Sequence, residues 1–182
     1  MTASPMPEPD EHRSLPRGAR LGVDVGKARV GLAGSDPDGL VATPVETVAR
    51  VLEVPAGADG VLVVTSDVAR IAAEVADRFA AVVYVGLPRH LSGAEGAATA
   101  DAREFAGRLA AAVAPVEVRL VDERMTTVSA HAQLRQAGRK TKKHRSVIDQ
   151  AAAVIILQSA LDAERAAGTR AGEHVDAQAA DA

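Results

Sequence analysis

The clearest alternation of hydrophobic and small or polar residues runs from Leu21 to Val25, which is typical of a β-strand. Residues 26–28 predict a tight turn and residues 30–33 a returning strand, so we expect a β-hairpin here. Residues 41–48 predict a third short strand. Pro44 places that strand at an edge of the sheet, because proline cannot donate a ladder hydrogen bond.

Downstream of this hairpin, helical and strand-like patterns alternate. A continuous apolar run at 81–86 is typical of a strand buried on both faces, and Ser92 with Glu95 matches a capping box. The predicted elements are a helix from Asp67, a strand over 81–86, a helix from Ser92 to about Val113, a strand over 115–121, a short helix from Thr126 or Thr127 to Gly138, and a helix from Ser146 to about Arg165. This order predicts an α/β domain with a five-stranded mixed sheet, in which the later strands run parallel to the first.

The ends of the chain differ in composition from its centre. Residues 1–18 are rich in Pro, Glu, Asp and Ser without apolar periodicity, and they predict a disordered arm. Residues 166–182 are of low complexity and predict a disordered tail. A single domain over residues 19–165 is therefore expected, and a chain of 182 residues is long enough to give it a proper core.

Composition excludes several classes of function. The chain has no cysteine, which removes disulfides, thiolate catalysis and cysteine-ligated zinc. Aromatic residues make up only 2%, so base-stacking modules are not expected. The net charge of −3 means that any surface for nucleic acid must be local. No signal peptide is evident, the longest apolar run is too short to cross a bilayer, and we expect a cytoplasmic protein without a membrane partner.

Asp24 is the first candidate functional residue, because it is a carboxylate in the middle of an apolar strand with a glycine on each side of it. An ionised aspartate there is costly unless a cation or hydrogen-bond donors meet it. The glycines would leave space for something other than a side chain to approach. A local role, in which Asp24 caps its own turn, remains open at this point.

Two further acidic positions are candidates. Asp149 lies near the predicted start of the last helix, where it could serve the helix dipole, but it shares a face with the apolar stripe that packs on the sheet. Asp122 and Glu123 end the strand expected beside the first one. Alternation sends these two to opposite faces, and the pattern alone does not choose between them.

Carboxylates gathered from these three places would repel one another unless cations lay between them. Oxygen ligands alone favour Mg²⁺ or Mn²⁺, and two such ions could activate water against a phosphodiester.

The run from Arg135 to Arg145 holds six Lys or Arg and no acid, immediately before Asp149. It could be a solvated face, but its position favours phosphate binding next to the proposed metals.

Four segments together resemble the YqgF/RuvX family of RNase H-like proteins, which are described as Holliday-junction-resolvase-like and as proposed pre-16S rRNA nucleases. The segments are 22–31 (GVDVGKARVG), 85–93 (VGLPRHLSG), 121–128 (VDERMTTV) and 147–153 (VIDQAAA), and the likeness covers about residues 20–165. It implies an RNase H-like fold with sheet order 3-2-1-4-5 and an acidic site at Asp24, Glu123 and Asp149. It also implies 5′-end maturation of 16S rRNA by phosphodiester hydrolysis.

The leading hypothesis is therefore a Mg²⁺- or Mn²⁺-dependent nuclease that acts on structured RNA, with pre-16S rRNA as substrate and the small ribosomal subunit as a further partner. Phosphates would be held by Arg29, Arg89, Arg124, Lys142 and Lys143. Resolution of branched DNA is the first alternative, and a non-catalytic rRNA-binding maturation factor is the second. An actin-like ATPase would need a second equivalent domain, for which the chain is too short.

Overall fold

The computed structural model describes residues 15–52, 63–89, 92, 95–123 and 142–177, with the backbone alone for residues 142–146. The strands and helices in chain order are β1 (Arg20–Val25), β2 (Arg29–Ser35), β3 (Ala42–Ala49), α1 (Ser66–Asp77), β4 (Val82–Leu87), α2 (Ala97–Val113), β5 (Glu117–Asp122), α3 (Lys142–Ala167) and β6 (Glu173–Val175). The hairpin, the edge strand and the helix predicted from Asp67 are all present.

All six strands form one mixed sheet in the order β3-β2-β1-β4-β5-β6. The antiparallel pairs are β1–β2, β2–β3 and β5–β6, whereas β1–β4 and β4–β5 are parallel. The predicted order 3-2-1-4-5 is thereby confirmed, and β3 with its Pro44 lies at the edge. The central position of β1 means that its side chains have neighbouring strands on both sides.

The two faces of the sheet carry separate apolar cores. Leu21 and Val23 point to the face covered by α1 and α2, where Phe105 is the largest buried side chain of that layer. Tyr84 points to the opposite face, against Leu157 of α3. Since side chains alternate along a strand, Gly22 and Asp24 lie on the α3 face. That face is the one on which the candidate site is built.

Three sequence predictions were wrong in detail. The tail predicted from residue 166 supplies a sixth strand, β6, because Arg119 of β5 donates to the carbonyl oxygens of Ala171 (2.7 Å) and Gly172 (2.8 Å) and holds the returning chain beside it. Helix α2 begins at Ala97 rather than at Ser92. The Ser92–Glu95 capping box is replaced by Thr99, whose hydroxyl accepts a hydrogen bond from the Gly96 N–H.

Helix α3 also starts earlier than predicted, at Lys142 instead of Ser146, so part of the predicted basic loop is helical. The predicted short helix ending at Gly138, residue Arg124 and most of the N-terminal arm lie outside the described residues. Within the described ranges, no helix combines the length and the apolar character needed to cross a membrane.

Candidate active site

Asp24 is buried in the sheet with glycine next to it on both neighbouring strands. Only 7% of the residue is exposed, and its partner across the β1–β2 pair is Gly31. On the other side the parallel register reaches Val23 beside Val85, so the next position along β4 beside Asp24 is Gly86. Because neither glycine has a side chain, other parts of the fold can lie directly against the strands on both sides of the carboxylate.

The glycines along β1 itself serve packing rather than an open approach. A Cβ atom at Gly22 would lie 2.6 Å from the Cβ of Leu157 in α3, and one at Gly26 would lie 2.7 Å from the Arg29 carbonyl oxygen. These distances are shorter than real contacts, so the helix and the hairpin turn occupy the space above both residues. The same holds at Gly31 and Gly86, where α3 and the Glu123 side chain lie close to the strands that flank Asp24.

Asp149 reaches the same region because α3 packs its backbone directly on β2. A Cβ atom at Gly31 would lie 2.0 Å from the Asp149 carbonyl oxygen. The Asp149 carboxylate Oδ2 accepts a hydrogen bond from Arg29 Nε at 2.7 Å. Since α3 starts at Lys142, Asp149 lies about two turns inside the helix and does not cap its N-terminus.

Asp122 is the last residue of β5 and Glu123 follows it, and the two side chains lie in different surroundings. Glu123 Oε1 lies 3.1 Å from the position that a Cβ atom at Gly86 would take, next to the side chain of Ile156 of α3. Asp122 Oδ2 instead lies 4.0 Å from Arg89 Nη1. Of the two acids that the pattern left open, Glu123 is the one that lies over the glycine beside Asp24.

The fold thus brings the backbones of Asp24, Glu123 and Asp149 to one end of the sheet on the α3 face. Among the described residues, however, no three His, Asp or Glu side chains are grouped closely enough to form a ready metal site. The Asp149 carboxylate is directed to Arg29. A set of three carboxylates, with glycine at residues 31 and 86, nevertheless has the oxygen donors that hard divalent ions take.

The predicted phosphate-binding residues have different surroundings. Arg29 contacts Asp149, and Arg89 contacts Glu95 at 3.1 Å. Lys142 and Lys143 open α3, but their side chains, like the whole of Arg124, lie outside the described residues. Of these five residues, Arg29 alone has a contact with one of the three candidate acids among the described residues, and Arg89 lies 4.0 Å from Asp122, the residue before Glu123.

Sequence analysis missed Arg50, which follows β3 and stabilises the turn next to Asp24. Its Nη1 donates to the carbonyl oxygen of Gly26 at 3.0 Å, and its guanidinium pairs with Asp101 of α2. The hydrogen bond from Arg50 holds the pKa of Asp101 below its ordinary value. A single arginine at a strand end carries no sequence signal for such a role, because its partners come from other elements.

Comparison with known proteins places this arrangement in a family. The sequence model of RuvX, described as Holliday junction resolvase, matches residues 18–163. The chain belongs to the RuvX family. Two relatives carry the name "Putative pre-16S rRNA nuclease": one from Nocardioides sp. is 59% identical over 87% of this chain and 97% of its own length. The other, from Streptomyces coelicolor, is 55% identical over 88% of this chain and 89% of its own length.

A solved structure shares the fold of this RuvX-family chain. T. thermophilus RuvC, in complex with a Holliday junction substrate, aligns over 84% of this chain and 98% of its own with a TM-score of 0.50 and 18% identity. The likeness confirms the predicted RNase H-like α/β fold. At this identity it supports the architecture and not the assignment of individual residues.

Proposed function

We propose that this RuvX-family protein is a nuclease that hydrolyses phosphodiesters of structured RNA, with the 5′ end of pre-16S rRNA as its substrate in the cytoplasm. The observation that carries the proposal is the position of Asp24: a buried carboxylate with glycine on both neighbouring strands, next to Glu123 and close to Asp149. The names of the similar proteins from Nocardioides and Streptomyces support the choice of substrate.

Asp24, Glu123 and Asp149 are the residues that would hold Mg²⁺ or Mn²⁺. Their oxygen donors suit these ions, and the absence of side chains at residues 31 and 86 lets the backbone of Asp149 and the carboxylate of Glu123 lie against the strands that flank Asp24. Such ions lower the pKa of bound water and stabilise charge on a phosphodiester. The strand β1 holds Asp24 in place, so its carboxylate needs little reorganisation to act.

The basic residues would bind the phosphates on either side of the cleavage point. Arg29 pairs with Asp149, and Arg89 lies 4.0 Å from Asp122, which precedes Glu123. Arg124 follows Glu123 directly in the sequence, and Lys142 and Lys143 precede Asp149 by seven and six residues. Contacts of this type supply affinity that does not depend on base identity and that falls as salt rises. Selectivity for structured RNA would then depend on the shape of the RNA. Contacts with the small ribosomal subunit would add to this selectivity.

A second candidate function is resolution of branched DNA. The description of the matching family model as Holliday junction resolvase favours it. The same acidic residues would serve both reactions, because the ester that is cleaved is chemically the same. The two candidates therefore differ in substrate shape and sugar, and only a direct comparison of substrates separates them.

The test is cleavage of end-labelled pre-16S rRNA and of a four-way DNA junction by the purified protein with Mg²⁺, Mn²⁺ or EDTA. We expect cleavage of the RNA that EDTA and Asp24→Asn both abolish, with RNA binding retained by the variant. Asp162→Asn, on the exposed side of α3, is the control with the same change of charge. Preferred cleavage of the junction would establish the DNA function, and rRNA processing in cells that survives Asp24→Asn would establish a non-catalytic binding factor.

A further inference from the structure

Arg29 and Asp149 form an ion pair between residues that are 120 positions apart in the chain. Arg29 Nε lies 2.7 Å from Asp149 Oδ2, and the two side chains are 29% and 25% exposed. Arg29 opens β2, and Asp149 belongs to α3, so the pair joins the same two elements that Gly31 brings into backbone contact. The close packing at Gly31 leaves the pair little freedom to separate by movement of the helix.

The pair engages a carboxylate that the proposed function also needs. Arg29 uses Oδ2 of Asp149, and a divalent cation held by that carboxylate would be drawn to the same negative charge. A guanidinium and a divalent cation bound to the same carboxylate oxygen would repel each other. An arginine cannot relieve that repulsion by losing its proton, because the guanidinium stays charged at all relevant pH values.

We propose that Arg29 is a positioning residue that competes with the divalent cation for the Asp149 carboxylate and so sets the metal affinity of the site. This inference rests on the proposed function. Arg29 balances part of the charge that Asp24, Glu123 and Asp149 bring together, which limits their repulsion. If Asp149 held a divalent cation, the Arg29 guanidinium would lose this partner and would be available to a phosphate of the substrate.

This competition predicts that replacing Arg29 changes the metal affinity in the direction opposite to that expected for an ordinary site residue. A residue that only supports the structure would weaken metal binding when replaced. Loss of Arg29 should instead strengthen it, because the cation no longer displaces an existing partner of Asp149. The free energy of a partly exposed ion pair of this kind corresponds to a change in affinity of about two- to five-fold.

The experiment is titration of the full-length protein with Mn²⁺ alone, by calorimetry, for the wild type, Arg29→Met, Arg29→Gln and Arg29→Lys. We expect about two- to five-fold tighter binding for the Met and Gln variants and near wild-type binding for Lys, which keeps the charge. Arg70→Met removes the ion pairs that the partly exposed Arg70 of α1 makes with Glu46 of β3 and Glu74 of α1, and it should leave Mn²⁺ affinity unchanged. Thermal unfolding should show a larger upward shift with Mn²⁺ for Arg29→Met than for the wild type.

Two outcomes separate this inference from the function on which it rests. Mn²⁺ binding that Asp24→Asn abolishes, but that Arg29→Met and Arg29→Gln leave equal or weaker, would overturn the role of Arg29 and keep the metal site. Absence of any Mn²⁺ binding that depends on Asp24 would overturn both. Either neutral variant suffices for the comparison if the other does not fold.

Discussion

Gly31 lies directly against the carbonyl oxygen of Asp149, where a Cβ atom would approach that oxygen to 2.0 Å. The same glycine pairs with Asp24 across the β1–β2 hairpin. One residue without a side chain therefore lets α3 rest on the sheet beside the first candidate acid. This contact, together with the close approach of α3 to Gly22, brings two acids that are far apart in the chain to the same end of the sheet.

Replacement of Gly31 by alanine should displace α3 and move Asp149 away from Asp24. We expect the free energy of unfolding to fall by about 1–3 kcal/mol or more, because the backbone atoms of Asp149 cannot change rotamer to avoid the new methyl group. Cleavage of RNA should fall more than the loss of folded protein explains. Urea unfolding and cleavage assays on the same preparation measure both effects.

Gly34→Ala is the matched control for Gly31→Ala on the same strand. Its Cβ atom would meet the ends of Arg78 and Val45 side chains at 3.2 and 3.3 Å, and such groups can shift by a few tenths of an ångström. We expect a smaller loss of stability and unchanged cleavage. Equal effects of the two substitutions would show that the contact between Gly31 and Asp149 has no special importance.

Gly86→Ala should disturb Glu123 and the core at the same time. A Cβ atom there would lie 2.5 Å from Ile156 Cδ1 and 3.1 Å from Glu123 Oε1. We expect a loss of about 1–3 kcal/mol from overpacking, together with reduced cleavage. Ile156→Val removes the Cδ1 atom, so the double variant should regain stability measured by urea unfolding.

The double variant Gly86→Ala, Ile156→Val distinguishes the two effects. Its cleavage rate should stay low, because the alanine methyl group still lies against the Glu123 carboxylate. Ile156→Val alone should cost about 0.5–1.5 kcal/mol and keep its activity. Recovery of cleavage along with stability would mean that the position of Glu123 over Gly86 does not matter for the reaction.

Glu164→Ala should be among the most destabilising single substitutions in the described part of the chain. Glu164 is 4% exposed and pairs with Arg20 Nε at 3.1 Å and Arg170 Nη1 at 2.7 Å, and it accepts a hydrogen bond from the Tyr84 hydroxyl. Burial and this carboxylate raise the pKa of Tyr84, so its hydroxyl stays protonated as a donor. Loss of Glu164 leaves Arg20 charged, buried and without this partner, at a cost of about 3–5 kcal/mol.

Glu164→Gln tests whether charge or shape gives Glu164 its importance. Glutamine removes the negative charge but keeps one oxygen that can accept from Arg20, while its NH₂ group can donate to the Tyr84 hydroxyl. We expect a clearly smaller loss in the free energy of unfolding than for alanine, measured by urea unfolding at neutral pH. An equal loss for both variants would show that the negative charge of Glu164 accounts for its whole contribution to stability.

Asp67 should make stability depend on pH below about 4. Burial raises the pKa of Asp67, but hydrogen bonds from the Thr65 hydroxyl and from the N–H groups of Val51 and Val68 outweigh it and lower the pKa below its ordinary value. A lowered pKa in the folded state means that the stabilisation is complete above the unfolded value of about 3.9. It is lost as the pH falls through the lower pKa of the folded state.

Asp67→Asn should therefore be less stable than the wild type at pH 7, by about 1–3 kcal/mol, with the difference shrinking as the pH falls below about 4. Urea unfolding at several pH values measures this difference. Asp38→Asn is the control, because Asp38 is exposed on a turn and pairs only with the exposed Arg17 in the described residues. A difference between wild type and Asp67→Asn that stays constant with pH would contradict the assignment.

Local patterns in the sequence were sufficient for most of the architecture. The alternation around Asp24, the proline at residue 44 and the apolar stripe of the last helix each depend on neighbours within a few residues. Secondary structure and the buried face of each element follow from such short-range periodicity. The resemblance of four segments to one family then implied the order of the strands, which the structure confirms.

Contacts between distant parts of the chain were decided only by the tertiary structure. The sequence contains no sign that Arg29 meets Asp149, that Arg50 holds the turn after β1, or that residues 173–175 return to the sheet. Each of these contacts depends on how two elements that are distant in the sequence pack against each other. The sequence alone offers every charged side chain many possible partners of opposite charge. For Arg29 and Asp149 the packing of α3 on Gly31 makes the choice, because contact between the two backbones brings these side chains within hydrogen-bond distance.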